Sequence, residues 1–590
     1  MKSKTRLLPL LILPVLLFSS CEFLASRQTE EKNTSIYNLD VIKDGAEIEL
    51  AKVGSIKLRF SKDKGYVPYV TLKQYASFFK PRFDEGVESV VSKRGSVLVW
   101  TVTKDSELYY ISQIDLSNKQ VMSAGNLEAA FKAGDDTRDT KSLYYASTTN
   151  YTSERLSKNM YATYSFENLD IDYFTFLNEY FLPLGFFDIT YSFDAGIYFH
   201  YNYAHLYCTR DVTNFSAKAF KRDGKTLTVD TEMANSKSDT LMPEYLRNYN
   251  ANLFLYLLDN FYGLKKYKQI ESAVDFCKNM GTYDKLFSVD DAIRVQAYAD
   301  TLALLDDNHT ALVSANNAWG EQTFNMRQYG DNCFNRSRAR TQLIQSRTAS
   351  TSAAYRNSEE IVYSVDGKTA MFLFDNFVYG TSSQVFNKDG SIKEDAGKYD
   401  SFIYLINKFK EIEQRGGVEN IVLDMSTNGG GVLGVLMKLS ALISKGNNGY
   451  LYYHEAMTDQ VGIAYTKVDI NQDGVYNTDD CYGDDFNIYL LTSDCSYSCG
   501  NAFPCMAQLL GDAKIIGEKS GGGECAVGIH YLPNSEYVYH SSNLHIGFYD
   551  EENKVFTGFE DGVTPDIPIS SYADFFNINT LAVYIENSQN

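Results

Sequence analysis

From Thr369 onward the chain alternates short apolar runs with segments of helical periodicity. The run MFLFDNF, the stretch Glu419 to Asp424 and the stretch Phe486 to Leu491 are predicted to be strands, the last two of them buried. Tyr399 to Gln414 has the spacing of an amphipathic helix, and a shorter helix is predicted from Asn501 to Leu510. This alternation of strands and helices predicts an α/β core.

The first half of the chain has two other patterns. Short alternating runs between Tyr37 and about Asn150, such as Ser55 to Phe60, predict strands. Residues 151–240 are rich in Tyr and Phe, and we expect these side chains to pack a β-rich core, with a peptide-binding surface as the alternative. From Pro243 the apolar positions recur at helical spacing. A helical subdomain is therefore expected after β-rich N-terminal domains.

These patterns divide the chain into seven predicted segments. They are a signal peptide (1–20), a tether (21–36), a small α+β domain (37–150), an aromatic β-rich segment (151–240), a helical subdomain (241–365), the α/β core (366–573) and a C-terminal tail (574–590). Within the helical subdomain, the basic stretch RSRARTQLIQSRTASTSAAYR is predicted to be a helix or linker with a solvated face.

The N-terminus has the features of an export signal. Basic residues precede an apolar run from Leu7 to Phe18, which is too short to span a bilayer. The segment Leu17 to Cys21 resembles a bacterial lipobox. We therefore expect cleavage before Cys21, lipidation of its thiol, and an extracytoplasmic lipoprotein held at a membrane on the periplasmic face or the cell surface. An ordinary secretory signal is the alternative.

Net charge and cysteine content limit the binding partners, disulfides and metal sites that we expect. The formal net charge of −20 argues against nucleic acid and anionic lipid surfaces as partners. Export permits disulfides among the eight cysteines that follow Cys21, and a bond between Cys495 and Cys525 is a hypothesis. The cysteine spacing matches no standard zinc site.

The stretch around Ser498 is a candidate for nucleophilic chemistry. It predicts a strand, a polar turn and a helix, with Asn501 as the helix cap and Pro504 in the first turn. A serine there faces free N–H groups and the positive end of a helix dipole. Ser496 replaces the first glycine of a G-x-S-x-G elbow and is the alternative nucleophile.

Two further loops carry candidate groups. His309 follows a predicted helix in LLDDNHTALVS, and a lone histidine is more often structural than catalytic. A glycine-rich turn, Asn428 to Gly431, follows the strand Glu419 to Asp424. This turn has neither a Walker lysine nor a G-x-G-x-x-G pattern, which argues against a nucleotide. Its backbone N–H groups could instead stabilise an oxyanion.

Four stretches together resemble the C-terminal-processing, or tail-specific, serine peptidases over about Pro243 to Ser571. They are LLDDNHTALVS, IVLDMSTNGGG, SYSCGNAFP with GEKSGGG, and GFEDGVTPDIPI. The resemblance implies a ClpP/crotonase-like β-α superhelix, a polypeptide substrate and no cofactor for catalysis. Gly523 occupies the place of the catalytic lysine of the Ser/Lys branch. The chain is more similar to the Ser/His/Glu branch, which includes the tricorn protease core and the chlamydial protease-like activity factor.

The resemblance implies a role for each candidate residue. Ser498 attacks the scissile carbonyl, and His309 is the general base. Glu560 orients His309, with Asp561 as the alternative acid. The backbone N–H groups that hold the oxyanion are those of Cys499 and of either Gly430 or Gly431. Because this role fixes Cys499, we expect its thiol to stay free and buried.

Two other functions are alternatives to a peptidase. One is a non-catalytic lipoprotein on the same fold that binds peptides or apolar ligands. The other, an adhesin or scaffold, depends only on the aromatic N-terminal half. The Ser, His and Gly-Gly positions favour the peptidase, because a binding protein has no need for all three.

A separate stretch, Asp469 to Asp480, fits the twelve-residue calcium loop of EF-hand and dockerin type. An Asp/Asn-rich turn without an ion is the alternative, and the sequence favours structural Ca²⁺. The predicted ligands are Asp469, Asn471, Asp473, the carbonyl of Val475, Asn477 and Asp480.

Overall fold

A computed structural model gives the fold of most of the chain. It describes residues 29–43, 47–131, 149–157, 161–210, 219–222, 225–228, 241–317, 320–321, 324–325, 330–534 and 536–589. The predicted signal peptide and Cys21 lie outside these residues. Among the described helices, none is long and apolar enough to cross a membrane.

Two sheets build the N-terminal part, as the alternating runs predicted. The larger is mixed, and its described strands are Thr29–Lys43, Glu47–Ser61, Lys64–Val70, Phe174–Phe176, Glu179–Pro183, Tyr198–Tyr201, Leu206–Thr209, Ala219–Arg222 and Lys225–Thr228. The smaller is antiparallel, with strands Val87–Arg94, Val97–Lys104, Glu107–Asp115, Gln120–Gly125 and Ala162–Ser165.

The aromatic segment 151–240 is not purely strands, because Leu184–Ala195 is a helix. Its aromatic side chains do pack a core, as predicted: Phe186, Phe187 and Tyr191 are fully buried. They share one hydrophobic cluster with the helix Glu244–Phe261. The aromatic composition of this segment is therefore explained by packing.

Helices dominate residues 244–356, in agreement with the predicted helical subdomain. The helices of the whole described chain are Leu72–Ser77, Leu184–Ala195, Glu244–Phe261, Ala273–Asn279, Tyr283–Leu286, Asp291–Ala303, Asp331–Ser350, Ala353–Arg356, Ser382–Val385, Ser401–Arg415, Leu433–Ile443, Cys499–Leu510, Tyr572–Phe575 and Ile578–Gln589. Single 3₁₀ turns occur at Lys80–Arg82, Glu128–Ala130, Ala396–Lys398 and Thr478–Asp480.

A mainly parallel sheet forms the centre of the C-terminal half. Its order is Val362–Tyr363, Thr369–Leu373, Asn420–Asp424, Asn487–Thr492, Lys514–Gly517 and Ile567–Pro568, and the first pair alone is antiparallel. The strands Thr369–Leu373 and Asn420–Asp424 are buried along their whole length. Helices cover both faces, which explains why the sequence shows unbroken apolar runs here.

An antiparallel sheet joins this core to the helical subdomain. Its path is Gly320–Glu321, Ala311–Asn317, Glu536–Asp550, Gly449–Glu455, Gln460–Val468 and Thr149–Arg155, with Cys525–Tyr531 and Val555–Gly558 also paired to the long strand. The pairing of Ala311–Asn317 with Glu536–Asp550 brings the loop that precedes Ala311 towards the parallel sheet. His309 lies in that loop.

Candidate active site

The parallel sheet places two loops side by side. Strands Asn420–Asp424 and Asn487–Thr492 are direct neighbours in register. Their carboxyl ends lead into residues 425–431 and 493–498, so the glycine turn and the serine turn leave the same edge. In open α/β sheets, ligands bind outside this edge.

Ser498 lies at the sharp turn before the helix Cys499–Leu510. Its backbone has φ 58° and ψ −127°, a conformation that costs a non-glycine residue about 1–3 kcal/mol. The turn is held by the Ser498 N–H, which donates to the Gly522 carbonyl at 3.0 Å, and by the Ser498 carbonyl, which accepts from Ala502 at 2.8 Å. The half-buried Ser498 hydroxyl has no hydrogen-bond partner among the described residues.

Ser496, the alternative nucleophile, has a different environment. It is fully buried, and its hydroxyl donates to the Met425 carbonyl at 2.7 Å and accepts from the Ser493 N–H at 3.0 Å. The contact with Met425 links the two loops, and the contact with Ser493 lies within the serine loop. This hydroxyl is therefore occupied in the structure, whereas that of Ser498 is not.

The glycine turn touches Ser498 directly. A Cβ added at Gly430 would lie 2.7 Å from the Ser498 Cβ and 2.9 Å from the Cys499 nitrogen, and the φ of Gly430 is +100°. Both facts require glycine. The Gly430 N–H donates to Asn428 Oδ1 at 2.9 Å. In the described structure, the N–H groups of Gly431 and Cys499 donate to no oxygen, and the Gly431 N–H faces the Cys499 thiol. Of the two predicted glycines, Gly431 is therefore the one whose N–H is not held by an oxygen.

Asp307 organises the loop that carries His309. Its carboxylate accepts from the His309 N–H at 2.9 Å, from the Thr310 and Ser541 hydroxyls at 2.7 Å each, and from the Tyr497 hydroxyl at 3.2 Å. Tyr497 immediately precedes Ser498. The sequence offered one signal for this role, because an Asp two residues before a turn residue commonly accepts its N–H.

His309 is buried and its ring packs against Tyr497, with ring centroids 4.8 Å apart. Its Nδ1 is buried without a hydrogen-bond partner. Burial lowers the pKa of His309, Asp307 opposes that shift, and the positive charge of Arg336 adds to it. The imidazole is therefore neutral near pH 7, as a general base must be.

Glu560 lies on the other side of the serine turn. Its Oε2 accepts from the N–H groups of Gly523 at 3.2 Å and Glu524 at 3.0 Å. Its own N–H donates to Glu524 Oε2 at 2.8 Å. Burial raises the pKa of Glu560 to about 7, with added repulsion from Asp307 and Glu524.

The structure thus brings the predicted residues to one place without completing the triad contacts. Among the described hydrogen bonds, none joins the His309 ring to Ser498 or to Glu560. The alternative acid, Asp561, is exposed and accepts from the Tyr267 hydroxyl at 2.7 Å. Its carboxylate is therefore engaged on the surface.

Comparison with known proteins identifies one segment of the chain. Residues 395–569 match the family model described as Peptidase family S41. The chain contains an S41 peptidase domain. Serine-type peptidase is the enzyme class of this family, its substrates are polypeptides, and its catalysis needs no cofactor. No curated protein matches the chain.

Several solved structures are similar to this chain. A putative peptidase from Parabacteroides merdae ATCC 43184 is 15% identical, with a TM-score of 0.41 over 58% of this chain and 97% of that chain. Mature CPAF complexed with lactacystin is 11% identical, with a TM-score of 0.37 over 58% of this chain and 98% of that chain. The tricorn protease is 10% identical, with a TM-score of 0.32 over 96% of this chain and 54% of that chain.

The basic helix Asp331–Ser350 holds the loops of the peptidase domain, which the sequence did not indicate. Arg336 donates to the carbonyls of Asp494 at 2.8 Å and Gly521 at 2.7 Å, and its guanidinium lies 4.4 Å from the Tyr497 ring centroid. The predicted solvated face is therefore wrong on this side of the helix. The contacts escaped detection because they join residues more than 150 positions apart.

A buried ion pair fixes the same helix to the parallel sheet. Arg347 is 5% exposed and lies 3.1 Å from Asp375 and 3.3 Å from Asp424, at the end of the strand before the glycine turn. The Tyr355 hydroxyl also donates to Asp424, at 3.0 Å. Removing one partner of such a pair would leave a buried charge uncompensated.

Two predictions about the serine turn need correction. The helix begins at Cys499 with Ser498 as its cap, so Pro504 lies inside it, beyond the first turn. Asn501 does not cap it, because its side chain donates to the Phe559 carbonyl at 2.9 Å and accepts from the Ser520 hydroxyl at 2.7 Å. Asn501 instead ties the helix to the two loops that surround Glu560.

All eight described cysteines are free, so the hypothesised bond between Cys495 and Cys525 is absent. Cys495 Sγ instead contacts the Arg336 carbonyl at 3.4 Å, while Cys525 Sγ faces His545 at 3.7 Å. Cys499 is free and buried, as predicted.

The predicted calcium loop is closed by its own backbone. Buried Asp480 accepts from the N–H groups of Ile470 at 2.9 Å and Asn477 at 3.1 Å, and buried Asp469 accepts from Gly474 at 3.0 Å. Such bonds satisfy an Asp/Asn-rich turn with or without an ion. Among the described residues, the carboxylates of this loop do not form a converging group of three. Calcium therefore remains a prediction.

Proposed function

We propose that this protein is a lipid-anchored, extracytoplasmic serine peptidase that hydrolyses peptide bonds with Ser498 as nucleophile, His309 as general base and Glu560 as the orienting acid. The observation that carries the proposal is the contact between the glycine turn and Ser498. It places a hydroxyl without a hydrogen-bond partner, in a strained turn, beside the N–H groups of Gly431 and Cys499, which donate to no oxygen in the described structure. An acyl-transfer site needs this combination of groups.

The proposed chemistry follows from these positions. The neutral imidazole of His309 takes the Ser498 proton as Oγ attacks the scissile carbonyl carbon. The carbonyl oxygen becomes an oxyanion, which the N–H groups of Cys499 and Gly431 stabilise at the positive end of the helix Cys499–Leu510. Protonated His309 then gives its proton to the leaving amine. A water molecule, activated by the same imidazole, hydrolyses the acyl-enzyme.

The role of Glu560 requires movement on substrate binding. Catalytic hydrogen bonds are often long in a free enzyme and tighten when substrate is bound. Glu560 is already coupled to the nucleophile, because its carboxylate holds the N–H of Gly523 while the neighbouring Gly522 carbonyl holds the N–H of Ser498. As an anion it would stabilise the imidazolium form of His309.

The anchor and the ion are proposed from sequence features. The segment from Leu17 to Cys21 supports lipidation at Cys21. The loop Asp469 to Asp480 supports a weak structural Ca²⁺ site. Its dissociation constant would be on the order of 10⁻⁴ to 10⁻³ M, as in extracellular modules. Such an ion would stiffen the loop between the strands that lead to the glycine turn and the serine turn.

Peptide hydrolysis by variants tests the assignment. Ser498→Ala and His309→Ala should each lose about 10³-fold or more in kcat/KM with the fold intact. Ser496→Ala is the matched control, which should lose stability, by about 1 kcal/mol, but keep the nucleophile. If Ser498→Ala stays active and folded Ser496→Ala is inactive, the nucleophile is misassigned.

A further inference from the structure

A second cluster of reactive side chains lies next to Glu560, outside the proposed triad. Cys525 and His545 are cross-strand partners on the strands Cys525–Tyr531 and Glu536–Asp550. Cys525 Sγ lies 3.7 Å from His545 Nδ1, and Glu524 Oε1 lies 2.6 Å from the same nitrogen. Among the described residues, these three form the one group of His, Cys, Asp or Glu side chains whose ligand atoms all lie within 4.8 Å of one another.

The spacing of these atoms suits a tetrahedral metal. Zinc bonds of about 2.3 Å to sulfur and 2.0–2.1 Å to nitrogen, at a tetrahedral angle, place the two ligand atoms roughly 3.6 Å apart. The observed separation of Cys525 Sγ and His545 Nδ1 is 3.7 Å, and Sγ lies 4.0 Å from Nε2 of the same ring, so the ring must rotate to aim its Nδ1 lone pair at a shared metal. The contact from Glu524 to His545 is a hydrogen bond, and it would need to open by roughly 0.7 Å to become an edge of the same tetrahedron.

The surroundings also favour a cation. Cys525 is 3% exposed, whereas the side chains of His545 and Glu524 are 12% and 10% exposed, so the cluster is enclosed but reachable from one side. The second oxygen of Glu524 is oriented by the N–H of Glu560 at 2.8 Å. An outer hydrogen bond of this kind commonly orients a metal ligand.

We propose that Glu524, Cys525 and His545 form a three-ligand site for a borderline-soft divalent cation of the Zn²⁺ type, with the fourth position open to water. The mixed sulfur, nitrogen and oxygen ligands favour Zn²⁺ over Mg²⁺ or Ca²⁺, which prefer oxygen alone. The site could not be read from cysteine spacing, because His545 reaches Cys525 only through the pairing of two strands. It uses none of the groups assigned to peptide hydrolysis.

Zinc binding to variants of the full chain tests the site. After removal of metal with a chelator, the protein is dialysed against ZnCl₂ and its bound zinc is measured by elemental analysis. Cys525→Ser and His545→Gln should each bind one equivalent less than the unsubstituted protein. Cys481→Ser, which removes another buried thiol elsewhere, is the matched control and should lose none.

Two further measurements keep the test decisive if a variant folds poorly. In the unsubstituted protein, zinc should raise the unfolding temperature, because a ligand that binds only the folded state stabilises it. Cobalt in place of zinc should give a thiolate-to-metal charge-transfer absorption that Cys525→Ser lacks. The proposal is overturned if the unsubstituted protein shows neither effect, or if Cys525→Ser and His545→Gln bind as much zinc as Cys481→Ser.

Discussion

At the residue scale, the site depends on four polar groups that donate to or accept from no oxygen in the described chain. They are the Ser498 hydroxyl, the N–H groups of Gly431 and Cys499, and His309 Nδ1, of which the last is buried. Unpaired buried polar groups are costly. Their position side by side at the edge of a parallel sheet supports the proposed substrate site.

The two titrating groups of the site predict the pH profile. Glu560, with a pKa raised to about 7, is an anion above that pH, and His309, whose pKa burial lowers from its usual value, is already neutral there. The kcat/KM of the unsubstituted enzyme should therefore fall as the pH decreases through about 7. In Glu560→Gln this decrease near pH 7 should be absent. The variant should be slower, and its kcat/KM should decrease only below pH 6.5. The same decrease near pH 7 in both enzymes would contradict the assigned role of Glu560.

At the element scale, the helix Asp331–Ser350 positions the serine turn from outside the matched domain. Arg336 binds carbonyls on both sides of Ser498 in the sequence and stacks on Tyr497. Arg→Lys changes are not conservative at sites where a guanidinium stacks and donates twice. The helix thus holds the serine turn in position.

Substitution of Arg336 should therefore reduce the rate more than the stability. Arg336→Gln should lower kcat by about tenfold or more, because small displacements of the nucleophile are expensive. Arg338→Gln is a matched control on the same helix, since Arg338 is exposed. Equal kcat in the two variants, measured with one peptide, would show that the contacts of Arg336 have no role in catalysis.

The loop Asp469 to Asp480 makes a separate prediction at this scale. Calcium should raise the unfolding temperature of the unsubstituted protein and leave kcat nearly unchanged, because the loop lies outside the reacting groups. Asp473→Ala should abolish the shift. Asp479→Ala removes the same charge at a position outside the predicted ligands and should retain it. No calorimetric heat and no shift in any of the three proteins would make this an ordinary turn.

At the scale of the whole molecule, the elements around the site could be predicted because their patterns are local. The strand predicted at Phe486 to Leu491 is found at Asn487–Thr492, and the helix predicted at Tyr399 to Gln414 is found at Ser401–Arg415. Apolar runs and helical spacing are strong at both places. Three of the four resembling stretches lie within residues 395–569, which match the S41 peptidase model, whereas LLDDNHTALVS lies outside that match.

What escaped prediction depends on contacts between distant parts of the chain. Asp307 holds the hydroxyl of Tyr497, 190 positions away in the sequence, and Arg336 reaches Gly521 across 185. Periodicity and motif spacing carry no information on such pairs. The cluster around Cys525 is hidden for the same reason.

Labelling with a fluorophosphonate probe, followed by peptide mapping, shows whether Ser498 is an activated nucleophile. Such probes phosphonylate a serine only when a base and an oxyanion site activate it. We expect one label per chain on the peptide that contains Ser498, and none on folded Ser498→Ala. Labelling at another serine, or no labelling of the folded protein, would contradict this expectation and would favour the non-catalytic binding function.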